Sequence, residues 1–169
     1  MSRIFKQILK RIYLFNVAKR FYYLSINWKR NLYNHLFPTV RILLYHRIAN
    51  SNNDPHKLCV SPENFLKQIG YLKENFKIIS LAQLVQNIKS KRVQNNSVVI
   101  TFDDGYADNL YDTLPILEKF NVPATIFLTA GYICSPAQTN LDNAFDWEQN
   151  TPQEDRGRPM TLDEAKRLS

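Results

Sequence analysis

Two adjacent carboxylates, Asp103 and Asp104, are the residues of this sequence best placed to do chemistry. They stand at the end of an apolar run, Val98-Val99-Ile100, that passes through Thr101 and Phe102 and is followed at once by Gly105 and Tyr106. Such a run reads as a strand buried on both faces, as in a parallel sheet covered by helices. A buried carboxylate must be paired or hold a metal, so two of them at a strand end require a reason. The plain alternative is a polar strand-to-helix turn in which Asp104 or Asp108 caps the helix that follows, since Asp-Asp-Gly is a common turn and cap former.

Side chains alternate along a strand, and neighbouring Asp residues point to opposite faces while it stays regular. Both can serve one site only where the strand stops, and Gly105, free to adopt positive φ, is expected to stop it. In parallel α/β folds the carboxyl ends of strands are where chemistry sits. The rest of the chain supplies elements for such a fold. Residues 41–45 read as a first strand and 50–55 as a loop. Ser61 and Pro62 open a helix that runs through Phe65, Ile69 and Leu72 toward Asn75. A short second strand spans 77–80, and a helix over 81–91 has Leu81, Leu84, Val85 and Ile88 on one face. After the central strand, a helix over 107–120 turns Leu110, Leu114 and Leu117 inward, with a kink or restart at Pro115. A fourth strand covers 124–130. Residues 134–158 read as a long loop containing a short helix near 141–147, and Thr161 with Glu164 forms a capping box that opens a last helix. Strands alternating with helices predict α/β with a parallel sheet.

Charge is distributed unevenly. The formal net charge of +7 comes from the N-terminal third: residues 1–53 hold ten Lys and Arg and no acid, against twelve basic and fifteen acidic residues in the remainder. Residues 1–38 form a basic amphipathic helical arm, with Ile4, Ile8, Ile12 and Phe15 at helical spacing. Its apolar runs fall short of the roughly 18 residues needed to span a bilayer, and no clear signal peptide is evident. The arm suits an anionic membrane surface; the alternatives are packing on its own domain and, less favoured for want of a recognised motif, nucleic acid. We expect peripheral membrane or cell-envelope association and no nucleic acid partner. Cys59 and Cys134 are the two cysteines. Neither sits in a Cys/His cluster, which argues against a disulfide framework and a thiolate zinc site.

The motif Thr101-Phe102-Asp103-Asp104-Gly105-Tyr106, followed by Pro115 to Leu128 (Pro-Ile-Leu-Glu-Lys-Phe-Asn-Val-Pro-Ala-Thr-Ile-Phe-Leu), resembles the opening of the polysaccharide deacetylase family, carbohydrate esterase family 4, the NodB homology domain. Gly131-Tyr132-Ile133 and, more weakly, Arg158 to Glu164 continue the likeness. Leu43-Leu44-Tyr45-His46-Arg47-Ile48 looks like the strand preceding this domain in many bacterial members. The resemblance thus runs from about residue 40 onward, its core from about residue 95, and sets a deacetylase domain at 39–169.

It implies a distorted (β/α) barrel of about seven strands, of which about four βα units are recognisable here, too few for closure. It also implies hydrolytic removal of N- or O-acetyl groups from a bacterial cell-envelope polysaccharide. By position, Asp103 would be the general base and Asp104 a ligand of a divalent metal, zinc by preference. In the family two further ligands come from a His-x-x-x-His motif after the helix that Thr161 opens. No His follows His56, so the sequence is expected to be truncated before that pair. His46 follows the first strand and could approach the carboxylates or simply line the strand end; His35 and His56 have no ligand spacing. Tyr106 and Tyr132 could border a sugar groove or be half-buried strand-end residues. A non-catalytic relative binding glycan or membrane is the alternative. A glycosidase or phosphotransferase ranks last, because adjacent carboxylates cannot flank a glycosidic bond at about 5 Å or more and no Gly-rich phosphate loop is present.

Overall fold

A computed structural model describes residues 28–29, 39–133, 145 and 157–168. The chain divides after Thr39 into two units, Met1–Thr39 and Val40–Ser169. Of the first, Trp28, Lys29 and Thr39 are described, Trp28 and Lys29 being helical and exposed; the rest of the basic arm, the short helix near 141–147 apart from Phe145, and most of the long loop lie outside the described residues. The second unit is α/β with a parallel sheet.

Its centre is β5 (Ser97–Phe102), buried at every position. β1 (Val40–Tyr45) pairs with it in parallel along its whole length, from Val40 opposite Ser97 to Tyr45 opposite Phe102. The other edge is shared. β4 (Lys77–Ile78) pairs with Ser97 and Val98, and β6 (Thr125–Ile126) pairs with Thr101 and Phe102, both parallel. A separate parallel ladder joins β2 (Arg47–Ile48) to β3 (Cys59–Val60), two strands the sequence pattern did not reveal. The four expected strands are thus present, but the fourth is shorter than 124–130: after Ile126 only Phe127 continues the pairing, its N–H donating to Phe102 O, and a short helix α4 (Ala130–Ile133) follows.

Helix α1 (Pro62–Asn75) starts as its sequence indicates, with Ser61 Oγ accepting from Asn64 N–H and Pro62 in the first turn, where a missing N–H costs nothing. Its Phe65, Ile69 and Leu72 are buried against Val98, Ile100 and Phe102 on one face of β5, with Ile48, Leu117 and Val122 completing the cluster. Tyr45, Phe65 and Phe102 meet at centroid distances of 5.2, 5.5 and 5.8 Å, a geometry that adds to burial. The other face of β5 offers Val99 to Ile79 and Leu84.

Helix α2 (Leu81–Lys89) is capped by Ser80 but uses less of its apolar face than its spacing predicts. Leu84 is buried and Leu81 packs beside it, whereas Val85 and Ile88 are exposed. The expected helix over 107–120 is split. Residues Asn109–Thr113 form a π-helical turn, and α3 (Leu114–Phe120) follows. Pro115 explains the split: it has no N–H for the carbonyl four residues back, and its ring would collide there. The wider turn, with Leu114 N–H donating to Asn109 O, relieves both problems. Leu110 and Leu117 are buried as expected, and Leu114 is half-buried. Helix α5 (Leu162–Lys166) carries the full capping box between Thr161 and Glu164.

Candidate active site at the carboxyl end of the central strand

Asp103 extends the β1–β5 ladder by one rung, its N–H donating to Tyr45 O at 2.9 Å. There the strand stops. Gly105 N–H donates back to Asp103 O at 2.9 Å, closing a three-residue turn with Asp104 at its centre. Asp104 has φ 69° and Gly105 φ 74°. Positive φ at Gly105 was expected, but at Asp104 it is a strained γ-turn geometry that a non-glycine residue rarely holds. Gly105 is required on a second count, since a Cβ there would lie 2.7 Å from Leu128 Cδ2 and 3.3 Å from Leu128 Cα. The turn is held from outside as well: Thr129 N–H donates to Asp104 O at 3.4 Å and Met160 N–H to Gly105 O at 2.9 Å.

His46, the residue between β1 and β2, meets this turn. Its Nε2 is 4.0 Å from Asp104 Oδ2, with both side chains about a quarter exposed, 28% and 26%. Asp103, Asp104 and His46 therefore share the mouth of the central strand. The Asp104 carboxyl is pushed above its ordinary pKa chiefly by desolvation; His46 opposes the shift and Asp103 reinforces it. His56 lies in an exposed turn before β3, and His35 is outside the described residues.

The capping alternative fails for Asp108, which makes no cap hydrogen bond to the turn after it. Its carboxylate instead accepts from Arg47 Nε at 3.0 Å and from Ile48 N–H at 3.4 Å. Burial pushes Asp108 up to about 6 in spite of Arg47, which pulls the other way. Tyr106 does not border a groove. It is fully buried, with the Arg47 guanidinium 5.1 Å from its ring centroid and the Phe145 ring at 4.6 Å. Tyr132 is half-buried against Phe145. Arg158 grips Glu164, six positions later, through both terminal guanidinium nitrogens at 2.8 and 2.6 Å. Glu164 also accepts from Tyr111 Oη at 2.6 Å and Thr161 N–H at 2.8 Å. Sequence reasoning missed Arg47 and Asp108 as a buried pair and Arg158 and Tyr111 as partners of Glu164; the capping box was the one signal that singled out Glu164.

A hollow of about 400 Å³ beside β6, lined by Leu117, Glu118, Asn121, Ile126, Leu128 and Leu168 among others, includes none of the three mouth residues. Among the described residues no group of three or more His, Cys, Asp or Glu could hold a metal ion. Asp104 and His46 are two neighbouring donors, short of the three protein ligands usual for a catalytic zinc. Among the described residues the donor set is thus partial, supplying two of the donors a divalent metal would need.

A parallel α/β sheet with carboxylates and an imidazole gathered at the carboxyl end of its central strand defines the class of protein, since that end is where such folds do chemistry. Within the class, residues 90–159 match the sequence model of the polysaccharide deacetylase family. Over this part the chain is similar to the polysaccharide deacetylases. It is 39% identical over 89 residues to the Bacillus subtilis (strain 168) protein YxkH, described as a polysaccharide deacetylase, covering 52% of this chain and 30% of the relative. It is 29% identical over 113 residues to the poly-beta-1,6-N-acetyl-D-glucosamine N-deacetylase of Staphylococcus aureus (strain MSSA476), covering 59% of this chain and 39% of that protein. Among solved structures, a de-N-acetylase from Aggregatibacter actinomycetemcomitans superposes with a TM-score of 0.57 at 20% identity, over 76% of this chain and 50% of that one. The fold is therefore that of part of the deacetylase barrel. The chain spans about a third of the length of these curated relatives and half of that structure.

Proposed function

We propose that this chain carries the carboxylate end of a hydrolytic site that removes N- or O-acetyl groups from a cell-envelope polysaccharide. The observation that supports this reading best is the meeting of Asp103, Asp104 and His46 at the mouth of β5, inside the stretch that matches the family. Asp103 is assigned as general base: it ends the strand, half-buried, with its backbone held by Tyr45 and its carboxylate able to take a proton from an attacking water. His46, 4.0 Å from Asp104, is assigned as the proton carrier that returns a proton to the leaving group. Asp104 is assigned as ligand of a divalent metal, zinc by preference, with further donors beyond those described. Bound there, such an ion would supply a better water nucleophile near neutral pH and polarisation of the acetyl carbonyl.

The chain should be incubated with N-acetylglucosamine oligomers and a divalent metal while released acetate is measured. Acetate release is expected, falling by about 100-fold or more in Asp103→Asn, the range for loss of a general base. Absence of release with zinc, cobalt or nickel would overturn catalysis by this chain.

A second reading, binding of glycan or membrane without catalysis, is favoured by the two-donor set at Asp104 and His46. The basic stretch 1–38 is the proposed membrane contact. No helix among the described residues is long and apolar enough to cross a membrane. Sedimentation with anionic vesicles, lost on deleting 1–38, tests that contact.

A further inference from the structure

Two short segments face each other at the mouth of β5, 46–48 and 104–108, and they are joined by two rungs. One is the approach of His46 to Asp104 at 4.0 Å. The other is the buried pair of Arg47 with Asp108, whose side chains are only 9% and 11% exposed. We infer that Arg47 and Asp108 are positioning residues of this site, their pair fixing the chain after β1 so that the His46 imidazole is held across from the Asp104 carboxylate. The inference rests on the hydrolytic reading of that site for its consequence in catalysis, though not for its geometry.

The backbone around His46 is pinned on both sides. Before it, Tyr45 O accepts from Asp103 N–H. After it, Arg47 N–H donates to Leu58 O, and Asp108 grips both the Arg47 side chain, through Nε at 3.0 Å, and the Ile48 backbone N–H at 3.4 Å. One carboxylate thus fixes a side chain and a main-chain group of the two residues that follow His46. Asp108 in turn stands four residues after Asp104, past a turn with two consecutive positive φ values. The buried Tyr106 ring fills the space beneath, 5.1 Å from the Arg47 guanidinium carbon, and Gly157 closes it: a Cβ there would lie 2.4 Å from the Tyr106 ring and 2.7 Å from Arg47 Nε. Neither segment can slide without breaking this packing.

Stability alone gives a poor reason for the pair. Desolvation outweighs the Arg47 attraction at Asp108 and raises its carboxyl to about 6, and buried ion pairs are often replaceable by apolar side chains at no loss of stability. What an apolar replacement cannot supply is a directed bond to Ile48 N–H together with a fixed guanidinium.

That difference provides the test. The doubly apolar variant Arg47→Met/Asp108→Leu should keep the thermal midpoint of the unaltered chain. It should nevertheless lose kcat by about 10- to 100-fold with KM changed less than about 2-fold, the penalty of misplacing a catalytic group by about 1 Å. A second readout needs no activity: in the unaltered chain Asp104→Asn should move the His46 ring NMR signals, and in the doubly apolar background that response should shrink by more than half. A folded double variant with undiminished kcat and an undiminished His46 response would overturn the inference. If the chain releases no acetate, the functional reading falls and the His46 response alone decides this one. Should the double variant fail to fold, Asp108→Asn, which keeps the volume and an acceptor for Ile48 N–H, takes its place with the same NMR readout, and full retention of the response there refutes the positioning role.

Discussion

Arg47–Asp108 and Arg158–Glu164 are both arginine–carboxylate pairs with the acid side chain only 11% exposed, yet the two acids shift in opposite directions. Asp108 is pushed up to about 6 and Glu164 is held down to about 2. Depth and donors separate them. Asp108 faces an arginine only 9% exposed, against 27% for Arg158, and receives two bonds, one from a single guanidinium nitrogen and a long one from Ile48 N–H, so desolvation dominates. Glu164 receives four, led by the two-pronged Arg158 grip and followed by Tyr111 and Thr161, so its charged form is favoured. An arginine nearby therefore does not make a buried acid strong; the number and geometry of donors do.

The largest effect should come from removing one partner of the deeper pair. Asp108→Ala takes from the buried Arg47 side chain the carboxylate it pairs with and from Ile48 N–H its acceptor, and a cost of about 3–5 kcal/mol is expected from denaturant unfolding. Glu164→Ala should cost less, about 2 kcal/mol, because Arg158 is 27% exposed and can turn to water. Equal costs would break the contrast in depth.

The contrast between the pairs also marks where the sequence could be read and where it could not. Local patterns carried far: the Ser61–Pro62 start of α1, the apolar run of β5 and the Thr161–Glu164 capping box all appear as expected. Each is decided within a few residues by caps, periodicity or turn chemistry. Val85 and Ile88 did not follow the pattern, because burial of a helix face depends on what lies opposite, and α2 meets the sheet chiefly through Leu84 and Leu81. The mouth of β5 was legible at Asp103 and Asp104 and only open at His46, since β1 and β5 are joined across more than fifty residues. Arg47–Asp108, separated by 61 positions, left no local trace at all.

The second effect lies in pH. Asp108 has a folded pKa raised from 3.8, so the stability linked to it is present below about 3.8 and is lost as pH rises through about 6. Glu164 is the reverse: its folded pKa is lowered from 4.5, so its contribution is present above about 4.5 and is lost as pH falls through about 2. Unfolding midpoints of the chain, Asp108→Asn and Glu164→Gln across pH 2.5–7 separate the two. The difference between the chain and Asp108→Asn should change between pH 4 and 6, by on the order of 2 kcal/mol, and that with Glu164→Gln below pH 4.5. A change of the same sign in both would mean that the donor contrast does not govern the titration.

The smallest effect isolates a single donor. Tyr111 Oη donates to Glu164 Oε1 at 2.6 Å, and the same oxygen accepts from Arg158 at 2.6 Å. Tyr111→Phe removes this donor while keeping the ring, which lies 5.9 Å from the Arg167 guanidinium carbon. Because Tyr111 is half exposed, its hydroxyl is hydrated in the unfolded chain and was only partly desolvated on folding; a loss of about 1 kcal/mol is expected. Glu164 should then titrate somewhat higher, yet still below its ordinary value, since Arg158 and Thr161 remain. If Tyr111→Phe instead costs as much as Glu164→Ala, the four donors act as one cooperative unit rather than as separate bonds, and the strength of this acid comes from the network rather than from the arginine at its centre.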